Sequence, residues 1–406
     1  MSSVLSGIRV IELASYALVP FAGSILAEWG ADVIKVEHPL TGDPIRNTNV
    51  WGIPPTQGYG SFLHEITNRG KRSIGLDIGK PEGYAALVKL IEGADVFITN
   101  MLPAARRRFK IEYEDLKAIN PRLVYARGSG MGQKGPEAEA GGFDSAIYWA
   151  RAGVALAVTP QDMPYPLRMP GPAFGDSQGA ISVAAGICAA LVRREREGIG
   201  AVVDVSLLGA GMWAMQTALS GLAVLGRDNF EPLSRVHHIV NPLSTSYRTA
   251  DGRFIQLSML QSDRYWPNFC STIGKDELLG DPRFTDAAKR SENRAALVEI
   301  FDAMFGAHPT AHWQQVLARQ NGPWAVIALP GEVLNDPQAL ANGYVQTVAW
   351  GEAKTVPAVH APVSFDGAFD PLKDAPPHAM HTEEVLLEAG FDWADIAGMK
   401  SAGAIP

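Results

Sequence analysis

The stretch PGPAFGDSQGAISVAAG, residues 170–186, places one carboxylate, Asp176, between a proline/glycine turn and a helix built of small residues. Two roles fit an acid in that position. It can cap the helix by accepting hydrogen bonds from the first backbone N–H groups. Or it can act as a nucleophile, with the unpaired N–H groups of the helix start stabilising the oxyanion its attack creates. In the second case Gly175, Ser177, Gly179 and Ala180 leave space for a bulky electrophile, whereas Ala184, Ala185, Gly186, Ala189 and Ala190 read as close helix packing.

Other reactive groups are sparse. Basic residues cluster at Arg69, Lys71 and Arg72, and again at Arg106, Arg107 and Arg108, which suits either solvated faces or a phosphorylated ligand. Of the nine histidines, His237 and His238 form a pair that could supply a base but reads as surface. No His/Cys/Asp/Glu spacing of the metal-binding kind is read. The cysteines, Cys188 and Cys270, fit a reducing cytoplasm. The formal charge of −8 argues against sequence-independent nucleic-acid binding. No signal peptide is read at MSSVLSGIRVIEL, and no apolar run reaches the roughly 18 residues of a membrane span.

These residues need a frame, and the first half of the chain supplies alternating elements. Strands are expected at 8–13, 31–39, 71–78, 95–100 and 122–130, and helices at 20–29, 80–94 and 103–118. The bare helix runs over 176–198. Such alternation specifies a Rossmann-like open parallel sheet of the α/β class. Its first strand-to-helix turn, ASYALVP, lacks the glycines of a dinucleotide fingerprint, so nicotinamide cofactors are not expected. A short strand and a long apolar helix follow over 202–225. A hairpin at 246–259 turns on Asp251-Gly252, and residues 261–321 read as helical. Short strands are expected at VIALP and VSFDG, and a helix at 381–391. The divisions are therefore 1–208 for a first domain, 209–239 for a linking helix and loop, and 240–325 for a smaller α+β domain. Residues 326–406 then return to complete the first domain.

Several segments together resemble one family. GIRVIELASYALVPFAGSILAEWGADVIKVEHPLTGD (7–43), TNRGKRSIGLDI (67–78) and ADVFITNMLPAARRRF (94–109) are similar to segments of the class III CoA-transferases. So are GQKGPEAEAGGFD (132–144), GDSQGAISVAAGICAALVRREREGIGAVVDVSLL (175–208) and LNDPQALANGYV (334–345). The likeness is weakest over 225–330. This family also holds the α-methylacyl-CoA racemases.

The resemblance implies an interlocked homodimer and Asp176 as nucleophile. Attack on an acyl-CoA thioester would give a mixed anhydride, and returning CoA thiolate an aspartyl-CoA thioester, from which an acceptor acid takes the coenzyme. It also implies that Ser15, Tyr16 and Ala17 pack on CoA and that Asn100 and Met101 line its site. Arg108 would lie near the CoA phosphates, with Lys71 and Arg72 facing the same region. Phe143, Asp144 and Gly175 would border the substrate pocket. Coenzyme A is then a substrate, no cofactor or metal stays bound, and the partners are acyl-CoA, a carboxylic acid and a second copy of the chain.

Departures matter too. His38 stands where several relatives have arginine, and SMLQSDRYW (258–266) lacks the glycines of a loop that shields the intermediate in some transferases. In racemases a histidine of a G-H-D segment removes the α-proton; this chain has Gly142-Phe143-Asp144, and a phenyl ring takes no proton. Acyl transfer is thus favoured over racemisation and over a non-catalytic CoA-binding module. Trp51, Tyr59, Trp149 and Trp213 are candidates to line a pocket for a bulky acyl group, and Arg151 or Arg168 to pair with a second carboxylate.

Overall fold

A computed structural model describes residues 3–55, 61–160, 163–229, 239–350 and 354–406. Tyr59, His237 and His238 lie outside the described residues.

The chain forms two compact units, Met1–Phe230 with Gln338–Pro406, and Glu231–Pro337. The first unit is built on β1 (Arg9–Leu13), α1 (Leu18–Glu28), β2 (Asp32–Glu37), α2 (Phe62–Asn68), β3 (Arg72–Gly75), α3 (Pro81–Glu92) and β4 (Val96–Thr99). It continues with α4 (Pro103–Arg108), α5 (Tyr113–Ile119), β5 (Val124–Ser129), α6 (Val154–Ala157), α7 (Phe174–Glu197) and β6 (Ala201–Ser206). The six strands are all parallel and lie in the order β3-β2-β1-β4-β5-β6. The order reverses between β1 and β4, where an open sheet leaves a crevice at its carboxyl edge. Alternate side chains feed the two faces. Val10, Val33, Val96, Ile98, Val124 and Ala126 pack with α1 and α7. Ile11, Ile34, Ile74, Phe97 and Tyr125 pack with α3, α5 and the end of the chain.

That end is part of the sheet's cover. Helices Thr382–Glu388 and Trp393–Ser401 place Val385, Leu386, Ile396 and Met399 on the second face, with Ala404 and Ile405. The Asp77 N–H donates to the Ala404 carbonyl at 2.8 Å.

The bare helix starts at Phe174, two residues before Asp176, and its lack of side chains is mostly a packing requirement. A Cβ at Gly179 would collide with Leu18 of α1, and one at Gly186 with Val203 of β6. Gly179 and Ala180 are buried in the core, so neither leaves room for a ligand, contrary to expectation. α7 is long and apolar enough to cross a membrane by length and composition, but Val183, Ala184, Ile187 and Leu191 are buried against the sheet.

The single helix expected after β6 is broken. α8 (Leu207–Ala214) and α9 (Gln216–Leu225) meet at a 67° bend. α9 buries none of its residues, and Trp213, Val224 and Leu225 are exposed. The expected helix over 103–118 is likewise divided, by Lys110 in the left-handed region (φ 52°).

In the second unit, β7 (Ser246–Arg248), β8 (Phe254–Leu257) and β9 (Trp324–Val326) form an antiparallel sheet, the first two as the hairpin read from Asp251-Gly252. Aromatic side chains, among them Tyr247, Trp266, Phe301 and Phe305, fill its core. Back in the first unit, β10 (Val345–Trp350) pairs antiparallel with β11 (Lys354–Val359). VSFDG is not a strand. Asp366 and Gly367 take left-handed angles, and a single bridge joins Phe365 to Ala368.

Candidate active site

Asp176 lies in the first turn of α7, which gives it no local capping side chain. The cap comes instead from a distant loop. Asp144 is 5% exposed; its Oδ2 accepts from the Gly175 N–H at 2.9 Å, and it also accepts from the Asp176 N–H. Two of the donors expected for an oxyanion are therefore already engaged. Asp144 Oδ1 has no hydrogen-bond partner among the described residues.

A buried carboxylate, Asp144, and a half-buried one, Asp176, now share one helix end. Burial, and then the charge of Asp144, raise the Asp176 pKa from 3.8 to about 7. Burial also raises that of Asp144, against its backbone hydrogen bonds. A carboxylate that holds its proton up to neutrality is more basic, and so a stronger nucleophile once ionised, than one in water. Asp144→Asn keeps an acceptor for Gly175 but removes the like charge. The acid limb of activity is expected to move down by about one pH unit in that variant, measured as kcat/KM against pH.

The turn between β1 and α1 reaches this pair from the sheet. Tyr16 has a left-handed backbone (φ 65°), unusual for a bulky residue. Its ring meets that of Phe143 edge-on at 5.3 Å, and both are exposed, 41% and 63%. Ala17 packs with Ala173, the left-handed residue just before α7 (φ 59°). Behind the turn, a crevice of ≈190 Å³ opens at the carboxyl ends of the first four strands. Leu13, Ala14 and Ser15 line it together with His38, Asp77, Met101 and Phe109. Arg108, exposed, stacks on Phe109 with its guanidinium carbon 4.3 Å from the ring centre. No carboxylate pairs with Arg108 among the described residues.

Other expected site residues are committed elsewhere. Lys71 is buried and bound to Glu12, Asn68 and the Pro20 carbonyl, so it faces no phosphate. Arg72 opens β3 at the amino edge of the sheet and pairs with Asp32 and Glu388, on the side away from the crevice. The Asn100 amide is spent on Ser15, accepting from its N–H at 3.0 Å and donating to its carbonyl at 2.6 Å. Asn100 holds the turn rather than presenting its amide to a ligand. Arg69 pairs with Glu28, Arg106 with Glu112, Arg107 with Glu139, and Arg151 with Glu137. Trp149 is buried, its ring N–H bound to the Leu167 carbonyl. Trp51 and Trp213 are largely exposed.

A larger cavity, ≈800 Å³, lies among α1, α2, α7 and the β10–β11 hairpin. Its α7 contributors are Ser177, Gln178 and Ile181. At about 100° per residue, Gln178 and Ile181 leave the helix on the side opposite Asp176.

Missed by sequence reasoning were Phe109 and Asp77 in the crevice, Tyr148 beneath Gly175, and Glu12, Lys35 and Asp43 beneath the turn. The last group had a signal: Glu12 and Lys35 are charges set among the apolar residues of strands expected to be buried.

A doubly wound parallel sheet with a crevice at its strand reversal defines an open α/β ligand-binding protein, and comparison supplies its family. Residues 5–382 match the model of CoA-transferase family III, and the chain belongs to that family. It is a class III CoA-transferase. It is 31% identical over 403 residues to the (R)-2-hydroxy-4-methylpentanoate CoA-transferase of Clostridioides difficile, covering 99% of each chain. It is 30% identical over 397 residues to the cinnamoyl-CoA:phenyllactate CoA-transferase of Clostridium sporogenes, covering 97% of this chain and 95% of that one. A solved CAIB/BAIF family protein from Brucella suis superimposes with a TM-score of 0.79 at 27% identity, covering 96% of this chain and 100% of that one.

Proposed function

We propose that the protein moves coenzyme A from an acyl-CoA donor to a bulky apolar carboxylic acid, through covalent intermediates on Asp176. The observation that carries this reading is the placement of Asp176: half-buried at a helix start, beside Asp144, and protonated up to about pH 7. Its ionised oxygen attacks the thioester carbonyl. The C–S bond breaks, CoA leaves as thiolate, and an aspartyl-acyl anhydride forms. The thiolate attacks the aspartyl carbonyl of the anhydride, releasing the donor acid and leaving an aspartyl-CoA thioester. The acceptor carboxylate attacks that thioester, and the same steps in reverse yield the new acyl-CoA and restore Asp176.

The exposed Tyr16–Phe143 pair supports a bulky acyl group, as do relatives named for branched and aromatic hydroxy acids. Ser15, Tyr16 and Ala17 would carry the pantetheine arm from the crevice, where Met101, Phe109 and Arg108 hold the nucleotide end, to Asp144, Gly175 and Asp176. Phe143 supports transfer over racemisation. The test is hydroxylamine treatment after incubation with donor acyl-CoA. A hydroxamate on the Asp176 peptide, seen by mass, is expected; its absence from a protein that still exchanges CoA would remove the mechanism. A panel of acids then ranks acceptors, branched and aromatic chains first.

The working form is a homodimer, supported by the apolar, unburied α9. Light scattering is expected to give twice the chain mass; a monomer would sink this part of the reading.

A further inference from the structure

The turn that links the crevice to Asp176 has no glycine, yet it takes a backbone shape that includes a left-handed Tyr16. Its support is a chain of buried charges. Lys71 Nζ lies 2.7 Å from Glu12 Oε2, Glu12 Oε1 lies 3.0 Å from Lys35 Nζ, and Lys35 Nζ lies 2.9 Å from Asp43 Oδ2. All four side chains are buried. Each grips the turn or a residue that does. Lys35 Nζ donates to the Ala14 carbonyl at 2.8 Å, the Tyr16 N–H donates to Asp43 Oδ1 at 3.1 Å, and Lys71 Nζ donates to the Pro20 carbonyl at 2.9 Å.

The chain is anchored further back. The Asp43 N–H donates to Glu37 Oε2 at 2.9 Å, while Arg46 and Ser73 hold the Glu37 carboxylate. Three basic groups, Lys35, Lys71 and Arg46, face three acids, Glu12, Asp43 and Glu37; burial brings the Lys71 pKa down to about 7, against the pull of Glu12. Burial disfavours the Lys35 charge, but Asp43, Glu12 and Glu37 outweigh it and raise its pKa. A Cβ on Gly23 would collide with Glu12 Oε2, so only glycine lets α1 close over the chain.

Isolated charges in a core are costly, and the same space filled by apolar side chains is often as stable. A network of this kind is therefore poorly explained by stability alone. We propose that Lys71 and Asp43 are positioning residues for CoA-thioester binding, through a buried ion chain that fixes the turn Ala14–Pro20 so that Ser15 borders the crevice and Tyr16 meets Phe143. Side chains here do what glycine freedom does in dinucleotide-binding turns. The proposal rests on the reading that this turn contacts the CoA thioester.

The test compares Lys71→Met, Asp43→Asn and Ser73→Ala with the unaltered enzyme. It reads KM for the donor thioester, KM for the acceptor acid, kcat, thermal midpoint and hydroxylamine trapping. In Lys71→Met and Asp43→Asn the thioester KM is expected to rise about tenfold or more, with the acid KM unchanged. Ser73→Ala removes one hydrogen bond from Glu37 and is expected to fold and to shift the thioester KM in the same direction, by about two- to threefold. Folded variants with an unaltered thioester KM overturn the proposal, whatever their thermal midpoints. If the first two do not fold, Ser73→Ala decides on the same reading. Loss of trapping in the unaltered enzyme would instead defeat the Asp176 mechanism.

Discussion

Asp176→Asn is expected to lower CoA transfer by about 10^4-fold or more, the scale on which removal of a covalent nucleophile acts. Asn keeps the shape and one acceptor but cannot form an anhydride, so hydroxamate trapping should vanish with activity. The same variant carries a stability signature of opposite sign. The Asp176 pKa is about 7 in the folded state against 3.8 ordinarily. Between those values the folded protein holds a proton that the unfolded chain has released, so stability falls as pH rises and the penalty is complete above pH 7. At about 1.36 kcal/mol per pH unit, the cost at pH 8 approaches ~4 kcal/mol. Asp176→Asn should therefore melt higher than the unaltered protein at pH 8 and alike near pH 4. A variant that is inactive and less stable at pH 8 would mean that Asp176 is a structural cap.

Gly175→Ala is expected to be the most damaging conservative change near the site. Its methyl group would overlap the Tyr148 ring and Asp144 Oδ1, and Tyr148 is buried. The helix start must shift or the Asp144 cap must break, and either displaces Asp176. A displacement on the scale of 1 Å costs about 100-fold in rate, and overpacking costs about 1–3 kcal/mol. Alanine for glycine inside a helix normally stabilises by about 1 kcal/mol, so the sign itself is diagnostic. Gly398, exposed in the helix Trp393–Ser401, has open space around its Cα; Gly398→Ala supplies the control and should be neutral or stabilising. Equal kcat and melting behaviour in both variants would remove the steric argument.

The parallel sheet was legible because each strand is a short apolar run bounded by a helix with clear ends. Asp176 was a candidate from its local setting, where an acid at a helix start reads as a cap or a nucleophile, and the family resemblance favoured the second; Asp144 was a candidate only through the resemblance. In the event the cap is Asp144, supplied from residues far along the chain, which no local pattern encodes. Lys71 and Arg72 read as a phosphate patch because they are adjacent basic residues. Burial sent one inward to Glu12 and pairing held the other to Asp32 and Glu388, at the opposite edge of the sheet. The β10–β11 hairpin was missed because Pro357 interrupts its pattern. A two-stranded ribbon tolerates proline, since its outer edge needs no donor.

The closing of the sheet's second face by Val385, Ile396 and Ile405 has a consequence for biogenesis. The strands emerge from the ribosome long before the residues that cover them. Until the last helix is made, Ile34, Ile74 and Phe97 have an incomplete lid, and the nascent chain offers a sticky apolar surface to chaperones or to other nascent chains.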